Sequence, residues 1–150
     1  MAHTYSRLLF HYVFSTKERT ALITDAVRDR LHAYMTATAR ENGATLAVAG
    51  GTDNHAHILL GMPPRLAPSA LIGVVKGSSS KWMNDTFPGR PRFHWQESFS
   101  VFSLSPSLMG KTVDYIGNQA RHHRKRSFEE EVRLLLEKSG IDYDETYLWG

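Results

Sequence analysis

The sequence predicts an α+β fold of the ferredoxin-like (RRM-like) kind: a β-α-β-β-α-β body with an antiparallel sheet, followed by two more helices. Three observations predict it. Apolar residues alternate at period two near the N-terminus. They recur at three- and four-residue spacing over two later segments. Between those segments, two short apolar runs are joined by the turn Gly50-Gly51-Thr52-Asp53. A chain of 150 residues suits one domain. It divides into a body of about residues 4–104, C-terminal helices over 105–139 and a tail over 140–150.

Each element has a local reason. Tyr5 to Ser15 reads as a strand with Leu8, Phe10, Tyr12 and Phe14 on one face. Thr24 and Asp25 suit a helix start, and Val27, Leu31, Tyr34, Met35 and Thr38 form the inward stripe of a helix running to about Asn42. Gly43 fits the position just past its end. Ala44 to Ala49 and Asn54 to Leu60 form a hairpin, broken by Gly61-Met62-Pro63-Pro64. Pro68 and Ser69 open a second helix, Ala70 to about Thr86, with Leu71, Ile72, Val75 and Trp82 on its apolar side. Phe93 to Leu104 reads as a strand with aromatic residues on both faces. Ser105 and Pro106 start a helix from Ser107 to about Arg126, and another runs from Phe128 to Ser139 and stops at Gly140. The stretch from Ile141 to Gly150 is expected to be irregular.

Composition narrows the classes. Apolar residues make up 41% and charged residues 22%, as in ordinary globular proteins, and the aromatic content of 11% supplies core material. There is no cysteine, which excludes disulfides and Cys-type zinc sites and fits a reducing cytoplasm. No run resembles a signal peptide or a membrane span, so no membrane partner is expected. The net charge of +3 is weak evidence for nucleic acid, but its distribution says more. Arg121, Arg124, Lys125 and Arg126 cluster with His122 and His123, and three glutamates follow at 129–131.

Three groups of residues carry chemistry. His55 and His57 lie two apart on a strand, so both rings leave one face while Ala56 turns inward with Ile58 and Leu60. Paired neutral imidazoles suit a divalent metal, although two histidines on a solvent-facing strand are the plainer reading. Tyr115 and Gln119 lie four apart and share one helix face. Tyrosine can act as a covalent nucleophile and glutamine can give a neutral oxygen to a hard metal, although a tyrosine beside Val113 and Ile116 is also ordinary core. The third group is Lys76-Gly77-Ser78-Ser79-Ser80-Lys81-Trp82. Its small residues, hydroxyls, charges and aromatic plane suit a nucleic-acid backbone, with Lys76, Ser79, Lys81 and Trp82 as contacts. The competing reading is a helix kept narrow for packing. The spacing is not that of a Walker-type phosphate loop. Trp95, Phe93 and Phe102 read as core.

Taken together, these motifs resemble the HUH single-tyrosine transposases, small enzymes that move bacterial and archaeal insertion sequences as single strands. The stretches that carry the resemblance are Phe14-Ser15-Thr16-Lys17, Thr52 to Leu60 around His55-Ala56-His57, the Lys76–Trp82 segment, and Trp95-Gln96-Glu97 with Phe99 and Ser103. Tyr115-Ile116-Gly117-Asn118-Gln119, His122 to Lys125 and Ser127 to Glu131 follow, and then Gly140 to Asp144 and Tyr147-Leu148-Trp149. They run in family order through nearly the whole chain. Two positions depart: Ala56 is smaller than the usual aliphatic residue, and Gly117 costs about 1 kcal/mol relative to Ala inside a helix.

The resemblance implies that Mg²⁺ or Mn²⁺ is held by His55, His57 and Gln119. It further implies that Tyr115 attacks a DNA phosphate to leave a 5′-phosphotyrosine and a free 3′-hydroxyl. It implies single-stranded DNA with hairpin ends as partner, with Arg121, Arg124 and Lys125 among the DNA contacts. It also implies a homodimer with composite active sites, for which Gly110 and Gly117 around the tyrosine helix offer a means. Two other classes stay open at this point: a non-catalytic nucleic-acid-binding module of the same fold, and a domesticated single-strand DNA nuclease of the same family. No carboxylate stands out as a general base.

Overall fold

The computed structural model describes residues 3–119 and 125–150. The strands β1 (Leu8–Ser15), β2 (Leu46–Gly51), β3 (His55–Met62) and β4 (Ser100–Leu104) form one sheet in the order β2-β3-β1-β4. Every neighbouring pair is antiparallel. The helices α1 (Asp25–Glu41) and α2 (Pro68–Thr86) cover one face, giving the expected β-α-β-β-α-β body.

Period-two alternation decides what each face holds. Tyr12 and Phe14 of β1 and Ala56, Ile58 and Leu60 of β3 point into the main core, where they meet Val27, Leu31 and Met35 of α1 and Leu71, Ile72 and Val75 of α2. Gly43 ends α1 at a positive φ of 111°, a backbone conformation that glycine adopts without steric cost. The opposite face carries Leu9, His11 and Val13 of β1 and His55, His57 and Leu59 of β3. It is closed by α3 (Met109–Gly117) and α4 (Phe128–Lys138), through Ile116 on Leu9 and Leu59 and through Phe128, Val132 and Leu136 on Val13. The sheet therefore has helices on both faces, and the paired histidines are enclosed.

Three elements differ from expectation. The strand expected over Phe93–Leu104 pairs continuously only at Ser100–Leu104, with a single bridge between Thr16 and Trp95 before it. Between them the backbone is held by isolated bonds: the Gln96 N–H donates to the Ser15 carbonyl, the Ser98 N–H to the Gly150 carbonyl, and Lys76 Nζ donates to the Glu97 and Ser98 carbonyls. The helix expected over Ser107–Arg126 begins as a 3₁₀ turn, Pro106–Leu108, capped by Ser105, and α3 itself spans nine residues. Gly117 is thus the last residue of α3 and not an interior one. Asn118 follows, with its N–H bonded to the Asp114 and Tyr115 carbonyls and its side chain donating to Asp114. The 141–150 stretch is partly ordered as α5 (Glu145–Leu148), capped by Asp144. Trp149 then packs on Phe128 and lies under Arg19.

Candidate active site

The antiparallel register sets His55 opposite Ser15 and His57 opposite Val13, on the face that α3 and α4 close. Both histidines are fully buried, at 0% exposure. Gly50 of β2 is paired with His57, and a Cβ there would lie 2.2 Å from the Ile116 carbonyl oxygen. The missing side chain lets α3 sit directly on the strand beside His57. Tyr115 is thereby brought edge-on to His57, with ring centres 5.5 Å apart.

His55 is fixed from both sides. Its Nδ1 lies 2.9 Å from Asn54 Oδ1 and 2.9 Å from Thr52 Oγ1, and Phe128 stacks on the ring at 4.1 Å. With Nδ1–H donating to Asn54, Nε2 presents its lone pair, and Gln119 Oε1 faces it at 3.1 Å. The Gln119 amide nitrogen is turned away, donating to the Tyr115 carbonyl. In this tautomer both atoms offer lone pairs to a bound cation, and in the other tautomer Nε2–H donates to Gln119 Oε1. The Nε2 atom of His57 enters the same space, 2.5 Å from Glu131 Oε1, and that oxygen is 3.9 Å from His55 Nε2. The ligand atoms of His55, His57 and Glu131 all lie within 4.8 Å of one another. Two imidazoles, a carboxylate and an amide oxygen make a suitable donor set for a divalent cation.

The electrostatics follow from enclosure. Tyr115 is held well above the usual tyrosine range, first by burial and then by the charge of Glu131 and a hydrogen bond to it, while Gln119 and Arg126 act in the opposite direction. His11 is pushed down to about 3, first by burial and then by His57, so it is a neutral ring. A cavity of about 150 Å³ opens beside these groups, lined by Tyr115, Lys125, Arg126 and Glu131. Two cations at its mouth are suited to a phosphate.

Of the residues singled out in the sequence, the fold brings His55, His57, Tyr115 and Gln119 together and sets Lys125 at the edge of the same cavity. Arg121 and Arg124 lie outside the described residues. Lys76, Ser79, Lys81 and Trp82 lie on α2, across the sheet from the histidines. Ser79 is buried and accepts from Trp95 Nε1, Lys76 holds two carbonyls, and Trp82 stacks on Tyr34 with ring centres 4.8 Å apart. These three side chains serve packing, which explains the narrow helix. Lys81 is exposed and paired with Asp85. Sequence reasoning missed Glu131 and His11. Glu131 sits three residues after Phe128 and four before Leu135, so it is a carboxylate on an apolar stripe, and it is only 4% exposed. That position was the available signal.

Comparisons with known proteins find relatives over most of the chain. A family model described as "Transposase IS200 like" matches residues 4–119. The transposase for insertion sequence element IS200 of Salmonella typhimurium is 26% identical over 124 residues, covering 79% of this chain and 81% of that protein. The corresponding Salmonella typhi protein matches equally. Among solved structures, a candidate transposase from Deinococcus radiodurans superposes with a TM-score of 0.63 at 26% identity, over 79% of this chain and 95% of that one. A REP-associated tyrosine transposase, solved bound to a REP hairpin, shares the fold with a TM-score of 0.59 at 14% identity, over 100% and 95%.

Proposed function

Since the chain belongs to the IS200-like transposase family, we propose that it cuts and rejoins single-stranded DNA at hairpin-marked element ends, with Tyr115 as the nucleophile. The observation that carries this reading is the convergence of Tyr115, His55, His57, Gln119 and Glu131 in one enclosed site with Lys125 and Arg126 at its opening. The hairpin-bound relative supports a hairpin as the recognised feature, by likeness of fold.

In this reading Lys125 and Arg126, with Arg121, Arg124 and the exposed Lys81, contact the DNA backbone. His55, His57, Gln119 and Glu131 would hold a divalent ion, Mg²⁺ or Mn²⁺, which would supply charge withdrawal at the scissile phosphate. The Tyr115 hydroxyl attacks phosphorus in line, and its proton leaves along the hydrogen bond to Glu131. The bond from phosphorus to the 3′ oxygen breaks, and that oxygen takes up a proton to become a free 3′-hydroxyl. The 5′-phosphate is left on Tyr115. One phosphate ester has replaced another, so a second 3′-hydroxyl can reverse the step and join strands without ATP. His55 and His57 are held rigid throughout by Asn54, Phe128 and His11.

The protein acts as a homodimer in this account. Tyr115 lies beside its own chain's His57, and exchange of α3 across a two-fold axis rebuilds the same contacts between subunits. The test of the reaction uses a hairpin-bearing single strand labelled on either side of the cut, incubated with protein and Mg²⁺. The label 3′ of the cut should migrate with denatured protein, and the other fragment should end in a 3′-hydroxyl. Cleavage that leaves a free 5′-phosphate, or equal cleavage of a perfect linear duplex, would overturn the proposal.

A further inference from the structure

Trp149 follows α5 and has no part in the reaction described above. Its ring packs on Phe128 with centres 5.8 Å apart and 56° between planes, and Phe128 stacks on His55 at 4.1 Å and 22°. Phe128 is 5% exposed, and Trp149 is among the side chains that cover it. Arg19 lies over the Trp149 ring at 4.6 Å and pairs with Glu129, the residue after Phe128. Trp149 Nε1 donates to Glu145 Oε2 at 3.4 Å. The indole is therefore fixed at the start of α4, against the residue that backs the histidine.

The backbone on each side of Trp149 is tied by one buried amide. Gln96 Nε2 donates to the Gly150 carbonyl at 3.0 Å and to the Leu148 carbonyl at 3.4 Å. The Ser98 N–H and hydroxyl donate to the same Gly150 oxygen, at 3.0 Å and 2.6 Å. The other end of Gln96 accepts the Ser15 N–H at 2.8 Å, and Ser15 is the β1 residue paired with His55. A buried amide is costly unless both its ends are bonded, and here both are. Two routes thus run from the tail to His55, one through Phe128 and one through Gln96 and Ser15. Apolar packing alone would need neither the amide bridge nor the cation over the ring.

We propose that Trp149 is a positioning residue: it holds Phe128 flat on His55 and so keeps the His55 ring aimed at the cation. Outer partners that fix the ring orientation of a ligating histidine strengthen its hold on the metal. Asn54 and Thr52 hold the edge of the His55 ring at Nδ1, and Phe128 holds its plane. The tail thereby completes the site from outside it. The inference rests on the reading of His55, His57, Gln119 and Glu131 as a cation site.

Magnetic resonance spectra of metal-free, histidine-labelled protein read the stack without metal or activity. Ring protons of His55 over the Phe128 face should lie upfield in wild type, move downfield in Trp149→Ala and stay upfield in Trp149→Phe. Binding of Mn²⁺, measured by electron paramagnetic resonance, should weaken about tenfold in Trp149→Ala, the low end of the range found for losing an outer partner of a metal-binding histidine. It should be largely restored in Trp149→Phe. Val75→Ala, in the core on the other face of the sheet, should lower the thermal midpoint and leave both readouts at wild-type values. Wild-type ring shifts or wild-type Mn²⁺ affinity in folded Trp149→Ala, or equal changes in Val75→Ala, overturn this inference alone. Wild-type protein that does not bind Mn²⁺ overturns the cation-site reading and this inference with it. Should Trp149→Ala not fold, Trp149→Leu, which keeps apolar bulk but offers Arg19 no ring, should move both readouts in the same direction, and wild-type values there overturn the inference as well.

Discussion

Glu131 Oε1 of α4 lies 2.5 Å from Nε2 of His57 on β3, and both side chains are enclosed. The contact joins the C-terminal helix to the histidine strand and sets a negative charge among the proposed cation ligands. A buried carboxylate is costly unless it is matched, and a divalent ion matches it better than neutral imidazoles do. Glu131→Gln should therefore leave the metal-free thermal midpoint equal or higher. It should also abolish most of the rise that Mn²⁺ produces and lower DNA adduct formation at least about tenfold. Thermal melts with and without Mn²⁺ check this. An unchanged metal response would remove Glu131 from the ligand set.

Gly50 tests how the tyrosine helix is seated. A methyl group there would stand 2.2 Å from the Ile116 carbonyl oxygen, and backbone cannot yield as a flexible side chain can. Gly50→Ala should lift α3, cost about 1–3 kcal/mol of stability and sharply reduce cleavage. Gly117→Ala meets nothing within 4 Å among the described residues and should leave both nearly unchanged. Denaturant unfolding beside a cleavage assay measures the contrast. Equal effects at the two glycines would contradict this seating.

Much of this site was legible in the sequence, because it depends on periodicity. The two-residue step of His55 and His57 fixed their shared face, and the four-residue step of Tyr115 and Gln119 fixed theirs. What periodicity within one element cannot say is which elements meet. Glu131 is an acid in the first turn of α4, and its approach to His57 appears only once α4 is laid on the sheet. His11 was not singled out, because its enclosure depends on two later helices that close a face which a lone β-α-β-β-α-β body leaves open. The serine-rich stretch of α2 read equally as a phosphate contact or a narrow helix. The bond from Trp95 Nε1 to Ser79 Oγ is a tertiary fact with no local signal.

A separate expectation concerns acid stability. His32 on α1 has a buried Nε2 with no hydrogen-bond partner among the described residues, and its pKa is pushed down to about 4, first by burial and then by Arg28. The folded state keeps this ring neutral while the unfolded chain takes up a proton below about 6.5. Folding stability is thus lost as pH falls from that value towards 4, by on the order of 2 kcal/mol at pH 5. In His32→Gln the slope over that window should flatten. His11 titrates in the same direction and remains, so the quantity to compare is the difference between wild-type and variant curves. Parallel curves would show that His32 does not titrate this way.

The dimer with exchanged helices predicts complementation. A Tyr115→Phe chain mixed with a His57→Ala chain should regain cleavage, since one of the two composite sites in a mixed dimer holds both intact groups. Absence of rescue despite proven subunit exchange would mean that each chain builds its own site, as the contact between Tyr115 and His57 within one chain permits.

The central claim is that Tyr115 becomes covalently joined to DNA, and the most direct test is to identify the modified residue. Protein reacted with a hairpin-bearing single strand in Mg²⁺ would be denatured, digested with nuclease and protease, and analysed by mass spectrometry. The account predicts a nucleotide linked through its 5′-phosphate on the peptide containing Tyr115, and its absence from Tyr115→Phe protein that still binds the hairpin. A nucleotide on another residue, or efficient cleavage with no linked peptide, would contradict it.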